Sequence, residues 1–88
     1  MQKVLFDKKA EQMGDFHIYY QKRDSNVVTF AVCTIELDIP YIQERMRNMK
    51  PVAGEVLLWN WRYNSPLRIP YDKIKKLTPL SAVLKNDR

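Results

Sequence analysis

The longest apolar run of the chain, VVTFAVCTIELD, extends from Val27 to Asp38 and holds eight apolar residues without a glycine or proline. β-Branched and aromatic residues dominate it, which suits a half-buried pleated surface better than a helix. Val28, Phe30 and Val32 fall on one side of such a strand, and Ile35 and Leu37 on the other. The core-facing side is therefore expected to switch near Cys33. Such a switch calls for a bulge, a sharp bend, or a strand covered on both faces.

The flanking segments give the remaining elements. Residues 2–6, QKVLF, read as a short strand. Asp7 to Gly14 reads as one or two helical turns with Asp7 as cap and Gly14 as stop, or as a wide hairpin connection. Asp15 to Lys22 alternates Phe16, Ile18 and Tyr20 against His17, Tyr19 and Gln21, a strand with one buried face. Arg23, Asp24, Ser25 and Asn26 have turn chemistry, so 15–38 forms a hairpin. Asp38 reads as a helix cap, with Pro40 in the first turn. Ile39, Ile42, Met46 and Met49 make one apolar stripe of a helix that ends before Pro51.

Glu55 to Tyr63 is the next strand. Leu57, Trp59, Trp61 and Tyr63 share one face, and Val56, Leu58, Asn60 and Arg62 the other. Asn64, Ser65 and Pro66 form a turn. Leu67 to Tyr71 is a strand in which Pro70, unable to donate to a ladder, calls for an edge position or a strand end. A tight turn at 72–74 leads to a last short strand over 75–80. The order predicts an α+β fold: a small, strongly bent antiparallel sheet or partly open barrel of five to six strands with one amphipathic helix. A ferredoxin-like βαββαβ fold with a C-terminal extension is the alternative, but its first helix would be too short to cover a sheet. The expected organisation is one globular domain over 1–80 and a flexible tail over 81–88.

Charge changes this picture more than composition does. Apolar residues make up 45% and charged residues 28%, ordinary for a globular protein, and the net charge is +5. That charge is uneven: 1–44 is net −2, 45–76 is net +6, and 77–88 is net +1. The basic segment carries Arg45, Arg47, Lys50, Arg62, Arg68, Lys73, Lys75 and Lys76 against Glu55 and Asp72. Clustered charge of one sign steers partners of the other. The absence of a signal-like or membrane-length apolar stretch leads to the expectation of a soluble cytoplasmic protein with Cys33 as a small buried hydrophobe.

Several chemistries are poorly supplied. His17 and Cys33 cannot make a structural zinc site, which needs about four ligands. Glu36 and Asp38 are spaced for Mg²⁺ with an incoming phosphate, but read first as a polar strand edge and a helix cap. Cys33 lies in an apolar run without a nearby base, and His17 alternates with buried positions and faces solvent. Gly14 and Gly54 are the only glycines, so there is no phosphate loop. No cofactor is expected. In its size, charge, Arg62, Arg68 and Tyr71, the chain resembles small bacterial ribosome-dependent RNase toxins. That resemblance implies a metal-independent RNase as a minor alternative to a non-enzymatic domain.

Basic residues interleaved with aromatics support nucleic-acid binding more directly, because aromatic faces stack bases while Lys and Arg neutralise phosphates. The candidate contact residues are Arg45, Arg47, Lys50, Arg62, Arg68, Lys73, Lys75, Lys76, Trp59, Trp61 and Tyr71. At least one tryptophan is expected in the core; if its face is buried, Asn60 and Arg62 face outward. The RNA-recognition-motif signature is absent: Asn26 to Cys33 supplies one aromatic, no glycine and no leading basic residue. The expected function is binding of RNA or single-stranded DNA, with a regulatory or inhibitory module docking on an acidic protein surface as the second reading. Both use the same charges.

Overall fold

The structure, a computed structural model, describes residues 1–22 and 24–81. Its elements are α1 (Lys3–Met13), β1 (Asp15–Gln21), β2 (Val28–Thr34), α2 (Pro40–Met46), β3 (Glu55–Asn60), β4 (Ser65–Pro70), a 3₁₀ turn (Tyr71–Lys73) and β5 (Ile74–Pro79). The strands form one antiparallel sheet in the order β4-β3-β2-β1-β5. β4 and β5 are its two edges, so the sheet is not closed. Both edges nevertheless feed one core: Ile69 of β4 and Ile74 and Leu77 of β5 join Phe16, Ile18, Ala31, Cys33, Val56 and Leu58. A five-stranded sheet whose edges share a cluster with its centre must bend around it. This is the bent α+β sheet expected, with five strands. The ferredoxin-like alternative needs a strand ahead of the first helix, and among the described residues α1 is the first element.

The segment expected as a strand over 2–6 belongs instead to α1. Phe6 and Ala10, one turn apart, are its buried residues, and Phe6 meets the rings of Phe16 and Tyr71 edge-on at 6.2 and 5.8 Å. Val4 and Leu5 face outward, Val4 with 78% of its surface exposed. These two apolar residues on the solvent side hide the helical period and make QKVLF resemble a strand. Asp7 is not a cap but lies inside the helix, 2.9 Å from Lys3 Nζ. Gly14 ends α1 with φ 71°, a conformation that side chains disfavour. The amino group of Met1 donates to the carbonyls of Tyr71 and Ile74 at 2.8 and 3.3 Å, which ties the start of α1 to the β4–β5 connection.

α2 follows the expected stripe but stops at Met46, before Met49. Its N-cap is Ile39, with no side-chain cap, so Asp38 does not serve as one. Ile42 and Met46 bury against Trp59, with Leu37, Ile39, Met49 and Leu57 around them. This second cluster lies on the opposite face of β3 from Val56 and Leu58.

The side of β2 that faces the core differs from expectation. Ala31 and Cys33 are buried and Ile35 packs on the same cluster, so the core-facing side does not switch. Val28, Phe30 and Val32 point away from it. Cys33 and Thr34 are both buried because the sheet is covered on both faces at that end. The 3₁₀ turn comes one residue earlier than the turn read at 72–74. Of the turn read over Arg23 to Asn26, Arg23 lies outside the described residues, as does the expected tail beyond Ser81.

Candidate nucleic-acid interface

The register of the sheet builds an outer face from residues that alternate with the core. Tyr19 of β1 stands opposite Phe30 of β2 and Lys76 of β5; His17 stands opposite Val32 and Thr78. Directly opposed residues share a face, so these side chains make two rows across β5, β1 and β2. The bulge where β5 meets Tyr19 and Tyr20 leaves Lys75 unpaired and exposed beside Lys76. Beyond β2, the N–H of Trp61 donates to the carbonyl of Val32 at 2.7 Å and brings the 61–64 turn against this face.

Aromatic rings and a cation occupy the face. His17 and Phe30 stack with centroids 5.4 Å apart and planes 12° apart. Tyr19 lies 6.2 Å from Phe30. The Arg62 guanidinium carbon sits over the Phe30 ring at 4.6 Å and over Tyr63 at 5.2 Å. Tyr63, 68% exposed, is the more open ring; Phe30, 39% exposed, shares its ring with His17 and Arg62 and reaches solvent in part. His17 Nδ1 and Thr78 Oγ1 are buried and without a hydrogen-bond partner among the described residues, leaving polar capacity beneath the rings.

The face continues onto α2. Trp61 meets Trp59 edge-on at 6.3 Å, and Trp59 meets Tyr41 edge-on at 6.0 Å. Trp61 is 37% exposed, and its indole Nε1–H donates to Asp15 Oδ1 at 3.1 Å, which fixes the ring. Arg45 lies 3.5 Å over the Tyr41 ring and donates to the Tyr41 carbonyl. Asn64 Nδ2 donates to the Tyr41 hydroxyl.

The residues anticipated as contacts do not form one patch. Arg62, Lys76 and Trp61 share the outer face, and Arg45 flanks it. Arg68 lies on β4, at the far edge of the sheet from β5, and donates to the Lys50 carbonyl at 2.6 Å. Arg47 is exposed at the end of α2. Lys73 lines a cleft with Gln21, Asp24, Ser25, Asn26 and Pro70. Trp59, only 1% exposed, is a core residue and unavailable to stack a base. Tyr71 is half-buried against Phe6, and burial raises its pKa. Asn60 is buried rather than outward, its side-chain oxygen accepting from the Arg62 N–H at 2.9 Å. Sequence reading missed Tyr19, Phe30, His17 and Tyr63. The signal lay in the hairpin: pairing 15–21 with 28–34 puts Phe30 opposite Tyr19, a residue already read as facing away from the core.

Other chemistry finds little here. Among the described residues, no three His, Cys, Asp or Glu side chains come together as a metal site, and no helix is long and apolar enough to cross a membrane. Burial pushes the Cys33 thiol up to about 12, which keeps it protonated and a poor nucleophile. No protein-family model, no curated protein and no solved structure matches the chain.

Proposed function

We propose that this chain is a small domain that binds RNA or single-stranded DNA on the outer face of β5, β1 and β2. The observation that carries the reading is the pair of exposed rings, Phe30 and Tyr63, with Arg62 over both, the half-buried Tyr19 beside Phe30, and Lys76 opposite Tyr19. Every base offers a π-face to such rings, and the cations neutralise phosphates. The net charge of +5 adds long-range attraction for a polyanion. The domain acts by binding, without a reaction of its own. We place it in the cytoplasm, where a lone unpaired thiol such as Cys33 is at home.

Salt dependence tests the reading. Titrating a labelled single strand against the protein at several salt concentrations should give a log–log slope of about 0.7 per phosphate neutralised. A flat dependence rejects it. The same face would suit an acidic protein surface, since Val27 and Val28 beside Phe30 are also exposed. A protein retained after nuclease treatment, with no oligonucleotide binding by the purified domain, would transfer the face to that partner.

A further inference from the structure

Arg62 differs in its partners from Arg45, which flanks the outer face, and from Arg68 at the β4 edge. Arg45 gives a donor to the Tyr41 carbonyl and Arg68 gives one to the Lys50 carbonyl. The Arg62 side chain has no hydrogen-bond acceptor among the described residues, and no carboxylate pairs with it there. Its position is nonetheless defined. Phe30 holds it at 4.6 Å and Tyr63 at 5.2 Å, with Phe30 backed in turn by the His17 ring at 5.4 Å. Its main-chain N–H is anchored on Asn60 Oδ1, which is part of the buried core of β3.

A guanidinium carries its five N–H donors in its own plane. With the carbon over the Phe30 and Tyr63 rings, contact with the π-systems uses none of those donors. The rings also restrict the rotamers of a long side chain, so less entropy is lost when the donors engage. An oriented, uncompensated cation with an open planar fork matches an acceptor that offers two oxygens at once.

We infer that Arg62 is the phosphate-receiving residue of this face: it grips one phosphodiester of a single strand through two parallel N–H···O bonds and sets the strand's register on the rings. This rests on the nucleic-acid reading given above and assigns one residue within it. Lys76 contributes a mobile point charge by comparison. The fork is the selective element, so a lysine at 62 keeps the charge and loses both the fork and the stacking.

The test is fluorescence anisotropy with labelled oligonucleotides of about ten nucleotides, within the site sizes of small single-strand-binding domains. One is oligo-uridine and one contains guanine; each is titrated over a salt series with the wild type, Arg62→Lys, Arg62→Ala and a bulk-charge control, Lys8→Ala on α1. The inference predicts that Arg62→Lys weakens binding to both oligonucleotides alike by about tenfold with the salt slope kept. Arg62→Ala weakens it further and lowers the slope by about 0.7. Wild-type affinity in Arg62→Lys overturns the inference while leaving the functional reading in place. A loss confined to the guanine oligonucleotide also overturns it, because Arg62 would then read the O6/N7 edge of a base. Failure of the wild type to bind either strand removes the functional reading and this assignment together.

Discussion

Tyr19 and Phe30 face each other across β1 and β2, with ring centroids 6.2 Å apart, on the side of the sheet away from the core. Neither belongs to the buried clusters. A large ring kept on an open face contributes little to folding and is free to contribute to binding. Phe30→Ala should therefore weaken single-strand binding by about 1–3 kcal/mol, the worth of a stacked base. Losing a cross-strand aromatic pair costs about 0.2–1 kcal/mol of stability. Anisotropy titration and urea denaturation of the same variant measure the two effects. A stability loss on the scale of a core truncation, with affinity unchanged, would make the ring structural.

The two tryptophans should separate cleanly in stability. Trp59 is buried between β3 and α2 with Ile42 and Met46, so Trp59→Ala removes the centre of that cluster. The expected cost is about 3–5 kcal/mol, a large share of the roughly 5–15 kcal/mol that a whole domain possesses. Trp61→Ala removes a partly exposed ring and one hydrogen bond to Asp15, at about 1 kcal/mol. Equilibrium urea unfolding of both variants checks the ranking. Acrylamide should quench the Trp61 fluorescence well before that of Trp59.

These particulars show what could be read from the chain and what could not. The β1–β2 hairpin, the stripe of α2 and the short last strand are legible because period and turn chemistry agree there. α1 was hidden because only Phe6 and Ala10 of its eleven residues bury, while Val4 and Leu5 look outward. A pattern cannot mark a helix whose apolar residues lie on both sides. The pattern points the wrong side of β2 inward because Val28, Phe30 and Val32 are the larger residues and Ala31 and Cys33 the smaller. Size suggests burial, but the bent sheet with α1 across it buries the small ones. On the outer face proposed for binding, charge points to Arg62 and Lys76. The rings beside them follow only from register, which is a long-range property. Composition alone leaves Trp59 among the contacts, because it cannot tell on which side α2 packs.

Cys33 gives a prediction in pH. Burial raises its thiol from about 9 to about 12, so the folded protein holds the proton through a range in which the unfolded chain releases it. The unfolded state then binds fewer protons than the folded one, and stability must fall as pH rises. Its contribution is fully present below about pH 9 and is lost progressively toward pH 12. Urea midpoints measured across that range should decline for the wild type and decline less for Cys33→Ala. At neutral pH the native protein should resist thiol reagents and react at once in denaturant.

The central claim is that a single nucleic-acid strand lies on the outer face of β5, β1 and β2. Chemical-shift mapping by NMR, titrating a short unlabelled oligonucleotide into isotope-labelled protein, tests it most directly. The account predicts that the largest shifts fall on the rings of Tyr19, Phe30 and Tyr63, the Trp61 indole and the Arg62 guanidinium, with Arg68 and Lys50 at the β4 edge left nearly still. Shifts concentrated on Arg68, Lys50 and Arg47, or none anywhere at protein-saturating oligonucleotide, would contradict it.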